Sequence, residues 1–117
     1  NRDLFQEHPH GLWVLEEAGD VFGFVTFLLY RQNGFGHIEN NGVRPDRAGQ
    51  GWGKFMYRHV LQHFRDEGLR FAHVETGRDP VHAPARRAYE GVGFDREVPS
   101  VHYWQDLEAR NPGSVPD

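Results

Sequence analysis

The stretch VRPDRAGQGWGKFMYRHV, Val43 to Val60, decides how this chain is read, because three alternate glycines stand immediately before a change of hydrophobic period. From about Gly51 onward Trp52, Phe55, Met56, Val60 and Phe64 recur at helical spacing, and Gly68 supplies the stop. Just before it, HIENNGV reads as a short strand ended by Pro45. A strand feeding through a glycine-rich loop into a helix leaves the first N–H groups of that helix without intrahelical partners and aimed at one place. Together with the positive end of the helix dipole, such groups bind phosphate. Gly49, Gly51 and Gly53 have no Cβ to hold a phosphate away, and Arg47 and Lys54 add positive charge.

Working outward, GLWVLEEAGDVFGFVTFLLYRQ reads as two strands joined by a turn around Ala18, Gly19 and Asp20. The second arm is apolar at nearly every residue, the pattern of a central strand covered on both faces. In HIENNGV, simple alternation puts His37, Glu39, Asn41 and Val43 on one face. RFAHVET reads as a further strand, and Pro84 suits the first turn of a second helix that carries Ala85, Ala88, Tyr89 and Val92 and is ended by Gly91 and Gly93. GFDREV and SVHYWQDL read as a closing pair of strands, and EARNPGSVPD as a frayed tail. The element order is then β β β α β α β β, an α/β (α+β) fold. It forms a single domain over 1–107, with 1–10 a remnant of an N-terminal region and 108–117 a flexible tail.

The chain has 117 residues, enough for one core, and 38% of them are hydrophobic. A net charge of −4 gives no basic field for nucleic acid or an anionic membrane, and tolerates a cationic partner. The absence of cysteine excludes thiol nucleophiles, disulfides and thiolate metal sites. VFGFVTFLLY is too short to span a bilayer, so the reading is of a soluble, cytoplasmic protein. His59 and His63 share a helix face at i, i+4 spacing, but no acidic third ligand stands beside them. They are read as solvated, as is the Arg86 and Arg87 pair, and no metal is expected; His8 and His10 are assigned to a flexible start.

Three phosphate-binding patterns compete for the loop. A Walker loop needs Gly at position 48 and Ser or Thr after Lys54, where the chain has Ala48 and Phe55. A dinucleotide fingerprint needs two residues between its second and third glycines, and it should open the fold rather than follow three strands. The third pattern fits: V-R-P-D-R-A-G-Q-G-W-G-K-F-M resembles the coenzyme A pyrophosphate loop of the GNAT superfamily of N-acyltransferases, V-x-P followed by R/Q-x-x-G-x-G/A. Gly51 and Gly53 take its two glycine positions, while Ala48 departs from the usual Arg or Gln. Because backbone N–H groups make most contacts in such a loop, Ala48 implies reduced affinity rather than lost binding. A-R-R-A-Y-E-G-V-G-F, Ala85 to Phe94, resembles the superfamily's second segment, A-x-x-x-Y-E-x-x-G-F, with His82 where Asn is common.

The resemblance runs from about Gly11 to Leu107. It implies a GNAT-like mixed, mostly antiparallel central sheet flanked by helices, with the usual N-terminal strand and helices short or missing. It implies acetyl-CoA as co-substrate, held by Asn41, Val43, Arg47, Ala48, Gly49, Gln50, Gly51, Trp52, Gly53, Lys54, His82 and Ala85. The acyl group would pass to a primary amine in a ternary complex, since there is no Cys to carry a covalent intermediate. The acceptor would be a small amine, an aminoglycoside-like compound, or a peptide N-terminus or lysine.

Such transfer needs a neutral amine, donors for an oxyanion and a proton for the departing thiolate. Glu39, on the strand entering the loop, is the first candidate base, directly or through water, and burial in a cleft would suit it to that role; read plainly, it is an ordinary strand carboxylate. Glu75 is the second candidate. Tyr89 matches the superfamily's tyrosine near the thiol sulfur, and its spacing with Ala85 and Val92 also fits simple core packing. Two further readings stay open: a non-catalytic acyl-CoA-binding or interaction module, and a fold used structurally. A homodimer through Val101, Tyr103 and Trp104 is expected from the apolar closing strands.

Overall fold

The computed structural model describes residues 4–109. Five strands, β1 (Phe5–His8), β2 (Leu12–Glu17), β3 (Asp20–Tyr30), β4 (Phe35–Val43) and β5 (Phe71–Val74), lie side by side in chain order in one sheet. The first four are antiparallel in succession, and β5 runs parallel to β4. Two helices complete the fold, α1 (Trp52–Asp66) between β4 and β5 and α2 (Ala83–Gly91) after β5. The mixed, mostly antiparallel sheet is therefore as expected.

The β2–β3 hairpin turns on two residues, Ala18 (φ 52°) and Gly19 (φ 79°), both left-handed as a tight hairpin requires. α1 buries Met56, Tyr57, Val60 and Phe64 against Trp13, Leu15, Val25, Phe27 and Ile38 of the sheet, and Tyr89 of α2 joins the same core. Both helices cover one face. At the end of α1, Leu69 N–H donates to Phe64 O and Gly68 N–H to Arg65 O, with Gly68 at φ 79°. The same pair of bonds ends α2, from Phe94 to Tyr89 and from Gly93 to Glu90.

Several expectations are corrected. β3 is central but covered on one face only: Phe24, Leu28 and Tyr30 on the other are exposed among the described residues, because both helices pack on the same side. Residues 5–8 form a fourth antiparallel strand, β1, anchored by Phe5 edge-on to Trp13, so His8 belongs to a strand rather than to a loose start. The closing strands are not formed: residues 95–109 take no strand conformation and pair with nothing in the sheet, and β5 keeps an unpaired outer edge among the described residues. Their apolar residues alone do not make strands without a ladder to join. His59 and His63 are only partly solvated: both are half-buried, His59 against Phe5 and Phe55 and His63 against Trp13 and Phe27. Arg86 is likewise engaged, donating to the carbonyls of Gly77 (2.6 Å) and Asp79 (2.8 Å). Most of the expected tail, 110–117, lies outside the described residues.

Candidate active site

The site is built where β4 loses its β5 neighbour. β4 and β5 pair only from Phe35 with Phe71 to Ile38 with Val74, yet β4 continues to Val43. Past Ile38 no strand pairs with the β5 side of β4 among the described residues, which leaves an opening in the sheet. Arg44 N–H donates to Phe22 O (2.7 Å) and Asn40 N–H to Thr26 Oγ1 (3.1 Å), so the even-numbered residues here turn toward β3. Asn41 and Val43 therefore present their N–H groups to the opening.

A bulge makes this arrangement. Phe27 pairs with Ile38 and Val25 with Asn41, so three steps on β4 match two on β3. Ile38 and Asn41 consequently share the helix-covered face, while His37 and Glu39 take the other. The single face expected for His37, Glu39, Asn41 and Val43 is thus divided. His37 meets His73 of β5 across the strands, Nδ1 to Nδ1, at 2.9 Å. The Glu39 carboxylate is exposed rather than buried.

On the covered face, Asn41 joins the helices. Tyr57 of α1 donates its hydroxyl to Asn41 Oδ1 (2.5 Å), and Asn41 Nδ2 donates to the Tyr89 hydroxyl of α2 (3.0 Å). Tyr89 is 7% exposed, with its ring 5.0 Å from that of Tyr57 and 5.9 Å from that of Phe94. Burial, and then the neighbouring Tyr89 phenol, push the Tyr57 hydroxyl well above the ordinary tyrosine range.

After Val43 the chain passes a short turn, Pro45–Arg47, and reaches the glycines. Gly49 (φ 76°) and Gly51 (φ 87°) are left-handed, and a Cβ at either would have no protein atom within 4 Å. Their bareness thus answers a backbone need and faces open space. Gly51 caps α1, the first intrahelical bond runs from Phe55 N–H to Gly51 O, and no acidic residue occupies the first turn. The N–H groups of Trp52, Gly53 and Lys54 have no backbone acceptor among the described residues. These features fit an anion such as a pyrophosphate.

The remaining expected contacts are distributed as follows. Trp52 packs edge-on to Phe22 and Phe55 and donates to Gln50 Oε1 (3.1 Å), which stiffens the loop. Lys54 reaches the end of α2, where a Cβ at Gly91 would fall 3.1 Å from Nζ. The Arg47 guanidinium is held by Glu17 and lies over the Phe22 ring (4.2 Å), so its charge is already matched within the protein. Ala48 is exposed and donates its N–H to Pro45 O. His82 pairs with Asp79, which holds that carboxyl below the usual range. Ala85 packs on the core, and Glu75 lies beyond the end of β5 with its carboxylate 3.6 Å from His102 Nε2. Tyr57 was the residue missed by sequence reasoning, since its spacing marks it only as core. Among the described residues no group of three or more metal-ligating side chains gathers, and no helix is long and apolar enough to cross a membrane.

Comparison with known proteins bears on this geometry. Residues 1–94 match the model of the Acetyltransferase (GNAT) family. A mycothiol acetyltransferase from Streptomyces avermitilis is 33% identical over 95 residues, covering 81% of this chain and 30% of the relative. A crystal structure of a putative acetyltransferase of the GNAT family from Desulfovibrio desulfuricans superposes with a TM-score of 0.68 at 27% identity, over 74% of this chain and 56% of that one. AAC(6′)-Iy in complex with the bisubstrate analogue CoA-S-monomethyl-acetylneamine superposes with a TM-score of 0.68 at 16% identity, over 82% of this chain and 69% of that one, a likeness of fold. The chain spans about a third of the length of the mycothiol acetyltransferases it matches.

Proposed function

Because the chain belongs to the GNAT acetyltransferase family, we propose that it binds acetyl-CoA along the loop from Arg47 to Lys54 and transfers the acetyl group to a primary amine by direct attack. The observation that carries this reading is the opening beside β4, with the N–H groups of Asn41 and Val43 turned into it, the bare loop directly after it, and the Tyr89 hydroxyl tied to Asn41.

The thioester supplies the activated acyl group. The N–H groups of Trp52, Gly53 and Lys54 hold the pyrophosphate at the start of α1. The N–H groups of Asn41 and Val43 stabilise the charge that develops on the acyl oxygen. Glu39, on the open face, takes the proton of the attacking amine directly or through water, with Glu75 or water alone as its rivals. Tyr89, on the covered face, gives a proton to the departing thiolate. A base and an acid on opposite faces of the opening serve the entering and leaving groups without quenching one another. His82, paired to Asp79, shapes the turn entering α2 beside Ala85 rather than offering a free charge.

The acceptor class stays broad: a small-molecule amine or a peptide amine, with a cationic one favoured by the net charge of −4. The protein acts in the cytoplasm, without nucleic acid, membrane or metal, as one domain over residues 1–107. It pairs as a homodimer through Val101, Tyr103 and Trp104, which are 75%, 91% and 95% exposed, and the sheet keeps an unpaired edge at β5 among the described residues. Release of free thiol from acetyl-CoA with a panel of aminoglycosides, polyamines and peptides tests the activity. Amine-dependent release is expected; coenzyme A binding without release above background would instead mark a non-catalytic acyl-CoA-binding module.

A further inference from the structure

Nothing in the expected chemistry of the site gives Tyr57 a task, yet its hydroxyl is the start of a directed chain of hydrogen bonds. Tyr57 donates to Asn41 Oδ1 at 2.5 Å, and Asn41 Nδ2 donates to the Tyr89 oxygen at 3.0 Å. A side-chain amide has one accepting end and one donating end. With Oδ1 taken by Tyr57, the end turned to Tyr89 can only donate. Tyr57 keeps its proton, because burial and the adjacent phenol both oppose its ionisation. Tyr89 is thus an acceptor toward Asn41, its hydroxyl also interacts with that of the protonated Tyr57, and the Asn41 end that faces it offers its proton no acceptor.

We propose that Tyr57 and Asn41 are positioning residues that reserve the Tyr89 proton for the leaving thiolate. This inference rests on the acyltransferase reading given above. In the step it serves, the C–S bond breaks, the electron pair stays on sulfur, and the Tyr89 O–H proton moves to that sulfur; solvent then restores the phenol. Without Tyr57 the Asn41 amide is free to rotate, and its Oδ1 then accepts the Tyr89 proton and withholds it. Packing alone would not require this polarity, because a Phe at position 57 would fill the same core space.

The test uses the wild-type chain, Tyr57→Phe, Tyr89→Phe and the double variant. Tyr57→Phe should lower kcat roughly ten-fold or more, up to the 10²–10⁴ that the positioned acid itself contributes, and leave KM for acetyl-CoA unchanged. In the Tyr89→Phe background it should do nothing further, because the two groups act as one unit. A second readout needs no turnover: with tyrosine labelled at ¹³Cζ, the Tyr57 hydroxyl proton of the wild type should exchange slowly with D₂O and that of Tyr89 quickly, and Tyr57→Phe should slow Tyr89. Equal exchange of the two hydroxyls in the wild type overturns the proposal, as does a Tyr57→Phe effect on kcat that persists in full beside Tyr89→Phe. If the hydroxyl pattern holds while no amine supports thiol release, the relay stands and the transferase reading falls.

Discussion

Glu39 and Tyr89 stand on opposite faces of the opening beside β4, one exposed and one 7% exposed, and their difference in burial suits different tasks. A base that meets an incoming amine works from a wet face; an acid that protonates a thiolate benefits from a dry one. Replacing Glu39 with Gln should lower kcat on the order of 10²-fold while acetyl-CoA binding is retained, as steady-state kinetics and calorimetry would record. An unchanged kcat would pass the role to Glu75 or to water. Tyr57 makes a separate prediction about stability. An unfolded tyrosine ionises near about pH 10, and the folded hydroxyl ionises above that. Above about pH 10 the unfolded chain therefore releases a proton that the fold retains, so stability falls as pH rises from there until folded Tyr57 itself ionises. Melting curves across that range should show the decline, and Tyr57→Phe should make it shallower. At this scale, the left-handed Gly51 that opens α1 and the placement of Tyr89 on α2 were legible from their motifs. The Asn41 link was not, because it joins residues 16 and 48 positions apart in the chain.

Among elements, β4 does the most. Its bulge after Ile38 turns Asn41 to the helices and Glu39 away from them, and its excess length over β5 makes the opening. Alternation in HIENNGV reads straight through the bulge, since the extra residue has no mark in composition. α1 was easily read because both its ends carry left-handed glycines, Gly51 and Gly68, around a helical apolar stripe. The seat of α1 on the sheet depends on another glycine. A Cβ at Gly36 of β4 would fall 2.6 Å from the Phe64 ring, which is 2% exposed. Gly36→Ala should therefore cost roughly 1–3 kcal/mol by overpacking, seen as a lower urea midpoint with an unchanged m-value. Stability equal to wild type would mean that α1 sits more loosely on β4 than the packing indicates.

For the molecule as a whole, the order from β2 to α2 followed from sequence, because hairpin turn, helical period and helix stops all agree locally. The segment 95–109 did not, since Val98, Val101, Tyr103, Trp104 and Leu107 suggest a strand only if a neighbour is available, and all five are exposed. If that neighbour is a second copy, light scattering at micromolar concentration should give a dimer mass, and Trp104→Asp should give a monomer; a monomeric wild type would remove the dimer. The central claim concerns the coenzyme loop. Calorimetry of acetyl-CoA binding to wild type and to Gly51→Glu tests it most directly, with circular dichroism to verify that both are folded. The variant places a carboxylate in the open space where the pyrophosphate is proposed to lie, at a left-handed position that only glycine takes without strain. Binding by the wild type that is lost in a folded variant is the predicted result. No binding by the wild type, or equal binding by a folded variant, would contradict the account.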